Sequence, residues 1–276
     1  MNALPHPPAF TEPALPETAP LRPAPRGFDL VDTWIFDLDN TLYPAGSDVW
    51  PLIDARITAY VCGALGLDGL SARALQKYWY KRYGTTLTAL IDEYGVDPHD
   101  FLAFAHDIDR STLLPNPVLG AAIARLPGRK LILTNGSREH ARLTAERLGI
   151  YELFEDVFDI AAADFLPKPE RATYERFLAR HGVDAGRAAM FEDLEKNLHA
   201  PNALGMTTVL VVPVVADPRR EAWENERPLV LPHVDWVTND LPHFLTALTP
   251  VEALPGATAK PSALDAPERL PDNAVT

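Results

Sequence analysis

Cysteine is nearly absent from this sequence of 276 residues, since Cys62 is the only one. A single cysteine excludes an internal disulfide framework and any zinc site built from several cysteines. Positive charge is also scarce, because 25 Lys and Arg stand against 38 Asp and Glu and give a formal net charge of −13. An acidic chain without a Lys/Arg run is a poor match for a long nucleic acid. It can still admit a small anion where a metal ion and one lysine reverse the local field.

Long apolar runs are missing as well. The longest apolar stretch, around residues 207–216, is interrupted by Pro213 and is too short to span a bilayer. The N-terminus has no basic cluster followed by an apolar stretch, so we expect no secretory signal. These absences predict a cytoplasmic protein without a membrane partner. The sequence says nothing about the oligomeric state.

Proline is abundant but unevenly placed. Eight of the 27 prolines lie in residues 1–26 and five in residues 250–276, and neither end shows a periodic apolar pattern. Such segments bury too little apolar surface to offset the entropy lost on ordering. We therefore expect disordered tails at 1–26 and 250–276. The body between them is long enough for one large domain, or for one domain and a smaller one.

Short apolar runs alternate with helical patterns along the body. Strands are predicted at 32–36, 130–133, 155–160, 188–191 and 206–212. Helices are predicted at 116–126, 138–148, 169–181 and 194–204. This alternation predicts right-handed crossovers and a parallel sheet, which is an α/β, Rossmann-like core. In such sheets ligands bind at the carboxyl ends of the strands.

A block of helical patterns interrupts the alternation after the first strand. Predicted helices there cover 53–65, 71–83 and 85–94, and a fourth begins at Asp97-Pro98 and runs to Ile108. We therefore predict an all-helical cap domain at 44–113. The core that carries it would consist of 27–43 and 114–249.

Polar residues typical of phosphoryl transfer lie at the ends of the predicted strands or in the loops that follow them. They are Asp37, Asp39, Thr134, Lys168, Glu192 and Asp193. Taken singly, each has a structural explanation: a capping turn, a helix-capping threonine or a surface lysine. Carboxylates as close as Asp37 and Asp39 repel each other and need a cation or a shared proton. A parallel sheet would bring the whole set to one edge.

With these residues in this order, the sequence resembles the haloacid dehalogenase superfamily of hydrolases, most of which are phosphatases, over about residues 30–248. DLDNTLYP at 37–44 and YGTTL at 83–87 are similar to the pyrimidine 5′-nucleotidase branch, which dephosphorylates UMP and CMP among other small phosphates. The resemblance implies a Mg²⁺-dependent phosphomonoester hydrolase that acts through an aspartyl-phosphate. Its partner would be a small phosphorylated metabolite.

The resemblance also implies a role for each position. Asp37 is expected to be the nucleophile. Asp39 is expected to act as acid and then base, with a pKa raised by the neighbouring carboxylate. Mg²⁺ is expected between Asp37, the Asp39 carbonyl and Asp193, with Glu192 in contact directly or through water. The remaining expected positions are Thr134, Asn135, Gly136 and Lys168 at the phosphate, Asn197 behind the metal, and Tyr43, Tyr83, Thr85 and Thr86 near the substrate.

Three other hypotheses stay open on the same fold. A haloacid dehalogenase proper uses the same nucleophile on carbon without a metal, but in that branch the second aspartate is typically replaced, so Asp39 together with Asp193 counts against it. A phosphomutase differs only in the fate of the phosphoryl group. A catalytically silent binding protein would keep the fold without turnover.

The histidines and aromatic residues receive structural interpretations at this stage. The eight histidines form no HxH or HExxH pair, so we expect no metal site built from histidine and assign His199 to a helix surface. The aromatic run at 78–80 and Tyr83 could stack on a base, but their helical spacing favours the cap core. Cys62 is expected to pack as a small hydrophobic residue.

Overall fold

Six strands form a single parallel sheet within residues 25–214 and 231–248, which are the residues that this computed structural model describes. The strands are β1 Thr33–Phe36, β2 Arg129–Leu133, β3 Asp156–Phe158, β4 Ala188–Glu192, β5 Thr207–Val211 and β6 Trp236–Thr238. Their order is β3-β2-β1-β4-β5-β6, so β1 lies at the centre between β2 and β4. The predicted parallel α/β core is confirmed.

The side chains of the central strand β1 are buried on both faces of the sheet. All four residues of β1 are buried, as is typical of parallel strands with helices on both faces. Trp34 and Phe36 belong to the apolar cluster on one face, and Ile35 belongs to the cluster on the other. Alternation along the strand therefore supplies both halves of the core.

Two layers of helices cover the sheet. On the Phe36 side lie α5 Pro117–Arg125, α6 Arg138–Leu148 and α9 Leu241–Leu248, and on the Ile35 side lie α7 Arg171–His181 and the short α8 His199–Leu204. The helix boundaries follow local chemistry. Ser137 caps α6 by accepting a hydrogen bond from the His140 amide, and Gly149 ends it in the left-handed conformation.

Four helices form the insertion between β1 and α5. They are α1 Val49–Leu65, α2 Gly69–Tyr83, α3 Thr86–Tyr94 and α4 Pro98–Ala105. Side chains of Asp68, Thr85 and Asp97 cap the last three of them. The insertion has its own apolar cluster, in which Ile160 of the core also takes part. The predicted all-helical cap is thus present.

Three elements differ from prediction. Neither β6 nor α9 was predicted, and a strand of three residues such as β6 is too short to show a period. Residues 194–204 were predicted as one helix, but the structure has a 3-10 turn at Glu195–Leu198 followed by α8. The Asn197 carbonyl accepts a hydrogen bond from the Tyr174 hydroxyl at 2.6 Å. Pro201, which would donate to that carbonyl in a continuous helix, has no N–H.

The two predicted tails lie almost entirely outside the described residues. Of the first tail, the structure describes only Pro25 and Arg26. The prediction of disorder is wrong for Arg26, whose backbone is hydrogen-bonded to the core. The Arg26 amide donates to Asp235 at 3.0 Å, and the Trp236 indole N–H donates to the Arg26 carbonyl at 2.6 Å. Within the described ranges, no helix combines the length and the apolar composition that crossing a bilayer requires.

Candidate active site

The carboxyl edge of the sheet collects the polar residues that follow β1, β2 and β4. Parallel register places Phe36, the last residue of β1, beside Ile132 and Phe191. The chains leave the sheet just beyond these positions, and the Asp37 amide still donates to the Phe191 carbonyl at 2.9 Å. The side chains that follow line one cavity of about 160 Å³ between core and cap, among them Asp37, Asp39, Thr134, Asn135, Gly136, Lys168, Glu192, Asp193 and Asn197.

Lys168 is the cation at the centre of this edge. Its side chain is 2% exposed, and Nζ donates to Asp37 Oδ1 at 2.6 Å, to Glu192 Oε1 at 2.7 Å and to the Leu133 carbonyl at 3.0 Å. Burial alone would lower the pKa of Lys168, but Asp37 and Glu192 outweigh it and raise the pKa. Lys168 is therefore charged, and all three of its hydrogens have acceptors.

Asn135 fixes the backbone of Lys168. Its Oδ1 accepts from the Lys168 amide at 2.8 Å, and its Nδ2 donates to the Lys168 carbonyl at 3.1 Å. This pair of hydrogen bonds orients the Asn135 side chain toward the lysine backbone. The Asn135 side chain therefore positions the lysine, while its backbone amide remains the group expected at the phosphate.

A group of three carboxylates could hold a metal ion. One oxygen from each of Asp37, Glu192 and Asp193 lies within 4.8 Å of the others. Glu192 is the most constrained, because its Oε1 also accepts from Asn197 Nδ2 at 2.6 Å and its Oε2 accepts from the Leu194 amide at 2.8 Å. Asn197 thus contacts the carboxylate cluster through Glu192. Its Oδ1 is buried without a hydrogen-bond partner.

The donor set fits a hard divalent cation. Burial raises the pKa of Asp37 well above its usual range, and the nearby Glu192, Asp193 and Asp39 add to this effect while Lys168 opposes it. Three carboxylates against one lysine leave excess negative charge, which a cation with oxygen ligands would compensate. The unpartnered Asn197 oxygen is a further hard acceptor for water around such an ion.

Asp39 has a different environment from the one predicted. Its Oδ1 accepts hydrogen bonds from the Tyr43 hydroxyl and from His140 Nε2, the latter at 2.8 Å. Burial would raise its pKa, but His140 and the Tyr43 hydrogen bond outweigh burial and lower the pKa to about 2. The expectation of a raised pKa is therefore wrong for this structure. Among the described residues, no donor contacts Oδ2 of Asp39, the oxygen left for proton exchange.

His140 is the main residue that sequence reasoning missed. It is fully buried on α6, and its Nδ1 lies 2.8 Å from an Arg110 guanidinium nitrogen. A guanidinium only donates, so Nδ1 accepts and the proton of the ring is on Nε2, which donates to Asp39. Arg110 thereby fixes the tautomer of His140. No spacing in the sequence links Arg110, His140 and Asp39, because the three belong to separate elements.

His106 joins the cap to this network. It follows α4 and stacks on His140 with a ring-centroid distance of 4.5 Å, and its Nδ1 lies 2.9 Å from the Ser137 hydroxyl. Burial, with additional effects of His140 and Arg110, lowers the pKa of His106 to about 3. A neutral imidazole therefore forms the wall of the cavity at this point.

Thr134 and Gly136 form a tight turn at the end of β2. The Gly136 amide donates to Thr134 Oγ1 at 2.9 Å, so the expected use of that amide for phosphate does not fit the structure. The Thr134 hydroxyl keeps its own hydrogen to donate into the cavity. A Cβ at Gly136 would meet His140 at 3.1 Å and Thr134 Oγ1 at 3.3 Å, so only glycine fits without displacing one of them.

Two of the four residues expected near the substrate reach the cavity. Thr85 and Thr86 line it, together with the cap side chains Trp50, Gln76, Lys77 and Tyr80. Tyr43 is instead buried below Asp39, and the Tyr83 hydroxyl donates to Glu93 within the cap. The expectation of substrate contact is wrong for both tyrosines. Of the aromatic run, Trp79 packs in the cap core, as favoured, while Tyr80 faces the cavity.

Three comparisons show which proteins this chain is similar to. A yeast relative, phosphate metabolism protein 8 of Saccharomyces cerevisiae, is 27% identical over 216 residues, covering 72% of this chain and 64% of that protein. The chain thus spans slightly less than two thirds of that relative. Among solved structures, an L-2-haloacid dehalogenase from Xanthobacter autotrophicus is 19% identical, with a TM-score of 0.49 and coverage of 78% of this chain and 97% of that chain.

A second solved structure, a predicted phosphoglycolate phosphatase from Haemophilus somnus, is 20% identical, with a TM-score of 0.49 and coverage of 79% and 98%. A family model described as haloacid dehalogenase-like hydrolase matches residues 31–205. The match exceeds half of the chain and includes every strand that carries a carboxylate of the cluster. The chain belongs to the haloacid dehalogenase-like hydrolases.

Proposed function

We propose that this hydrolase is a Mg²⁺-dependent phosphomonoester hydrolase that forms an aspartyl-phosphate on Asp37. The observation that carries the proposal is the arrangement around Asp37 in the cavity, where a charged lysine contacts it and two further carboxylates lie beside it. Phosphoryl transfer needs this combination of a nucleophile and concentrated positive charge. The yeast relative is named as a phosphate metabolism protein, and this name supports the proposal that the chain acts on a phosphate compound.

In the first step, a carboxylate oxygen of Asp37 attacks phosphorus and the bond from phosphorus to the leaving oxygen breaks. Lys168 holds Asp37 in place through Oδ1 and lowers the charge repulsion between the carboxylate and the phosphoryl oxygens. The Thr134 hydroxyl donates to one of those oxygens. Asp37, Asp193 and the Asp39 carbonyl would hold Mg²⁺, with Glu192 in contact directly or through water. The bound ion would neutralise negative charge on the phosphoryl oxygens.

Asp39 moves the protons in both steps. It protonates the leaving oxygen in the first step and takes a proton from the attacking water in the second, which returns Asp37 and releases phosphate. The approach of the phosphoryl group adds negative charge near Asp39 and raises its pKa from the low value of the free site. Oδ2 performs the transfer, because Oδ1 is held by Tyr43 and His140.

The cap determines the substrate in this proposal. The proposed core consists of 27–43 and 114–249, and the proposed cap of 44–113. The leaving group would lie between these two domains, and opening and closing of the cap would control the access of water. Trp50 and Tyr80 line the cavity with aromatic rings, and Lys196 lies over one face of the Tyr80 ring at 4.2 Å. Aromatic rings suit a nucleobase, so we take nucleoside 5′-monophosphates, UMP and CMP first, as the substrate class.

A phosphate-release panel tests this function. We expect turnover of UMP and CMP in Mg²⁺ to exceed that of phosphosugars, pyridoxal phosphate and phosphoglycolate, and we expect a chelator to abolish it until Mg²⁺ is restored. A flat profile would overturn the nucleotidase assignment but leave the phosphatase. Activity that persists in a chelator would overturn metal dependence.

The competing hypotheses give different results in the same assays. A haloacid dehalogenase would release chloride from 2-chloropropionate without a metal. A phosphomutase would transfer a labelled phosphoryl group from its substrate to another organic hydroxyl, so that the label would not appear as free phosphate. A silent binding protein would bind a phosphate ester without turnover. Any of these outcomes, in the absence of phosphate release, would replace the proposal.

His140 is proposed as a positioning residue for Asp39. We expect His140→Ala to lower kcat at least about tenfold and to leave KM nearly unchanged, because Thr134 and Lys168 still bind the phosphoryl group. His140→Gln keeps a nitrogen donor at a similar reach and should recover part of kcat. Steady-state kinetics of both variants, at matched thermal stability, make the measurement. Equal loss of kcat in the two variants would contradict positioning through this hydrogen bond.

A further inference from the structure

A second group of metal-ligating side chains lies outside the Asp37 cluster. It consists of Glu195 and His199, four residues apart across the 3-10 turn and α8, and of His233, which lies just before β6. One ligand atom from each lies within 4.8 Å of the other two. None of the three belongs to the carboxylate cluster of the active site. The fold therefore brings together residues that share no motif in the sequence.

His233 is the buried member and is held toward Glu195. Its side chain is 9% exposed, and Nε2 lies 2.7 Å from Glu195 Oε2 and 3.0 Å from the Glu195 carbonyl oxygen. The other ring nitrogen, Nδ1, is buried and has no hydrogen-bond partner. A metal ion at Nε2 would replace the contacts of this nitrogen with Glu195 and would shift the ring proton to Nδ1, a site that makes no hydrogen bond in the structure.

His199 completes the group from the solvent side. Its side chain is 61% exposed, and Nε2 lies 3.6 Å from the same Glu195 Oε2. The rings of His199 and His233 stack with a centroid distance of 3.4 Å. Two imidazolium ions at this distance would repel each other strongly, and burial together with His233 lowers the pKa of His199. Neutral rings are the form that binds metals.

We propose that Glu195, His199 and His233 form a binding site for Zn²⁺ that is separate from the catalytic centre. Two imidazole nitrogens and one carboxylate oxygen are ligands that favour Zn²⁺ over Mg²⁺, whereas the carboxylates around Asp37 favour the reverse. The exposure of His199 leaves room for water as a fourth ligand. The two sites therefore select different ions by donor chemistry.

The position of the site indicates what the ion would do. Glu195 begins the 3-10 turn that carries Asn197, and Asn197 donates to Glu192 in the active site. His233 belongs to the segment that leads into β6. A bound ion would cross-link that segment to the turn and would reduce local unfolding of both.

The test measures Zn²⁺ binding by the full chain in a large excess of Mg²⁺, by calorimetry and by the visible absorption of Co²⁺ as a substitute ion. We expect one Zn²⁺ per chain and a rise in the thermal unfolding temperature. His199→Ala and Glu195→Gln should weaken binding by more than the roughly tenfold to hundredfold that loss of an outer partner costs. Exposed His243 provides the matched control, and His243→Ala should bind as the wild type does.

Two further outcomes separate this site from the catalytic one. Asp193→Asn should keep the Zn²⁺ site and its Co²⁺ spectrum, because Asp193 belongs only to the other group. The proposal is overturned if Zn²⁺ does not bind in excess Mg²⁺, or if His199→Ala binds as the wild type does. Binding that is lost in Asp193→Asn and kept in His199→Ala would also overturn it, since the ion would then lie in the active site.

Discussion

Asp37→Asn is expected to lower phosphate release by at least about 10³-fold, because the amide cannot attack phosphorus as a carboxylate does. The substitution changes almost no volume, and the side chain still offers an oxygen to Lys168, which lies 2.6 Å from Oδ1. The variant should therefore remain folded. The measurement is steady-state phosphate release from UMP, together with trapping of a labelled aspartyl-phosphate after an acid quench.

The matched control is Asp92→Asn on the exposed surface of α3, which should leave both activity and labelling unchanged. Unimpaired turnover in Asp37→Asn would exclude the covalent mechanism. Loss of turnover with the label still present would move the nucleophile to another residue. Either outcome would require a different assignment for the carboxylate edge.

Lys168→Met is expected to have the second large effect, on activity and on stability. It leaves Asp37 and Glu192 buried without their cation, and breaking a buried ion pair in this way costs about 3–5 kcal/mol in the free energy of unfolding. Activity should fall with it, because the positive charge beside the nucleophile is gone. Chemical denaturation and phosphate release measure the two effects on the same preparation, and Lys81→Met on the exposed face of α2 is the control.

A double variant separates the two roles of Lys168. Adding Glu192→Gln removes one of the two uncompensated charges. The Gln oxygen can still accept from the Leu194 amide, and its NH2 group can donate to the otherwise unpartnered Asn197 Oδ1 once the Asn197 side chain turns over. We expect part of the lost stability to return, with no return of activity. If activity returned together with stability, the lysine would serve the fold alone and its proposed catalytic role would be rejected.

Much of the fold could be predicted from the sequence because local signals were strong. The strands around Ile35 and Leu131 are continuous apolar runs, and caps such as Ser137 with Gly149 mark the ends of α6. The break before α8 has a local signal in Pro201, which the helix prediction for 194–204 overlooked, but the hydroxyl of Tyr174 that takes up the freed Asn197 carbonyl lies more than twenty residues away in the chain. Tertiary contacts of this kind leave no local pattern.

In the candidate site, too, the sequence predicted the positions of residues better than their contacts. Residues at strand ends could be assigned to one edge, because parallel strands end together. The environment of each carboxyl group could not, because it depends on partners from other elements. A neighbouring carboxylate predicted a raised pKa for Asp39, whereas the hydrogen bonds from Tyr43 and His140 lower it. His140 itself gave no signal, since a histidine inside a helix is usually structural.

The apolar cluster of the cap includes Ile160, a residue of the loop after β3 that is fully buried there. Exposure of one such side chain costs about 1.5–3 kcal/mol. A rigid opening of the cap that left this loop behind would carry that cost in every catalytic cycle. An opening of the cap that avoids this cost would therefore bend three chain segments rather than two: both connections of the insertion and the loop that holds Ile160, which would move with the cap.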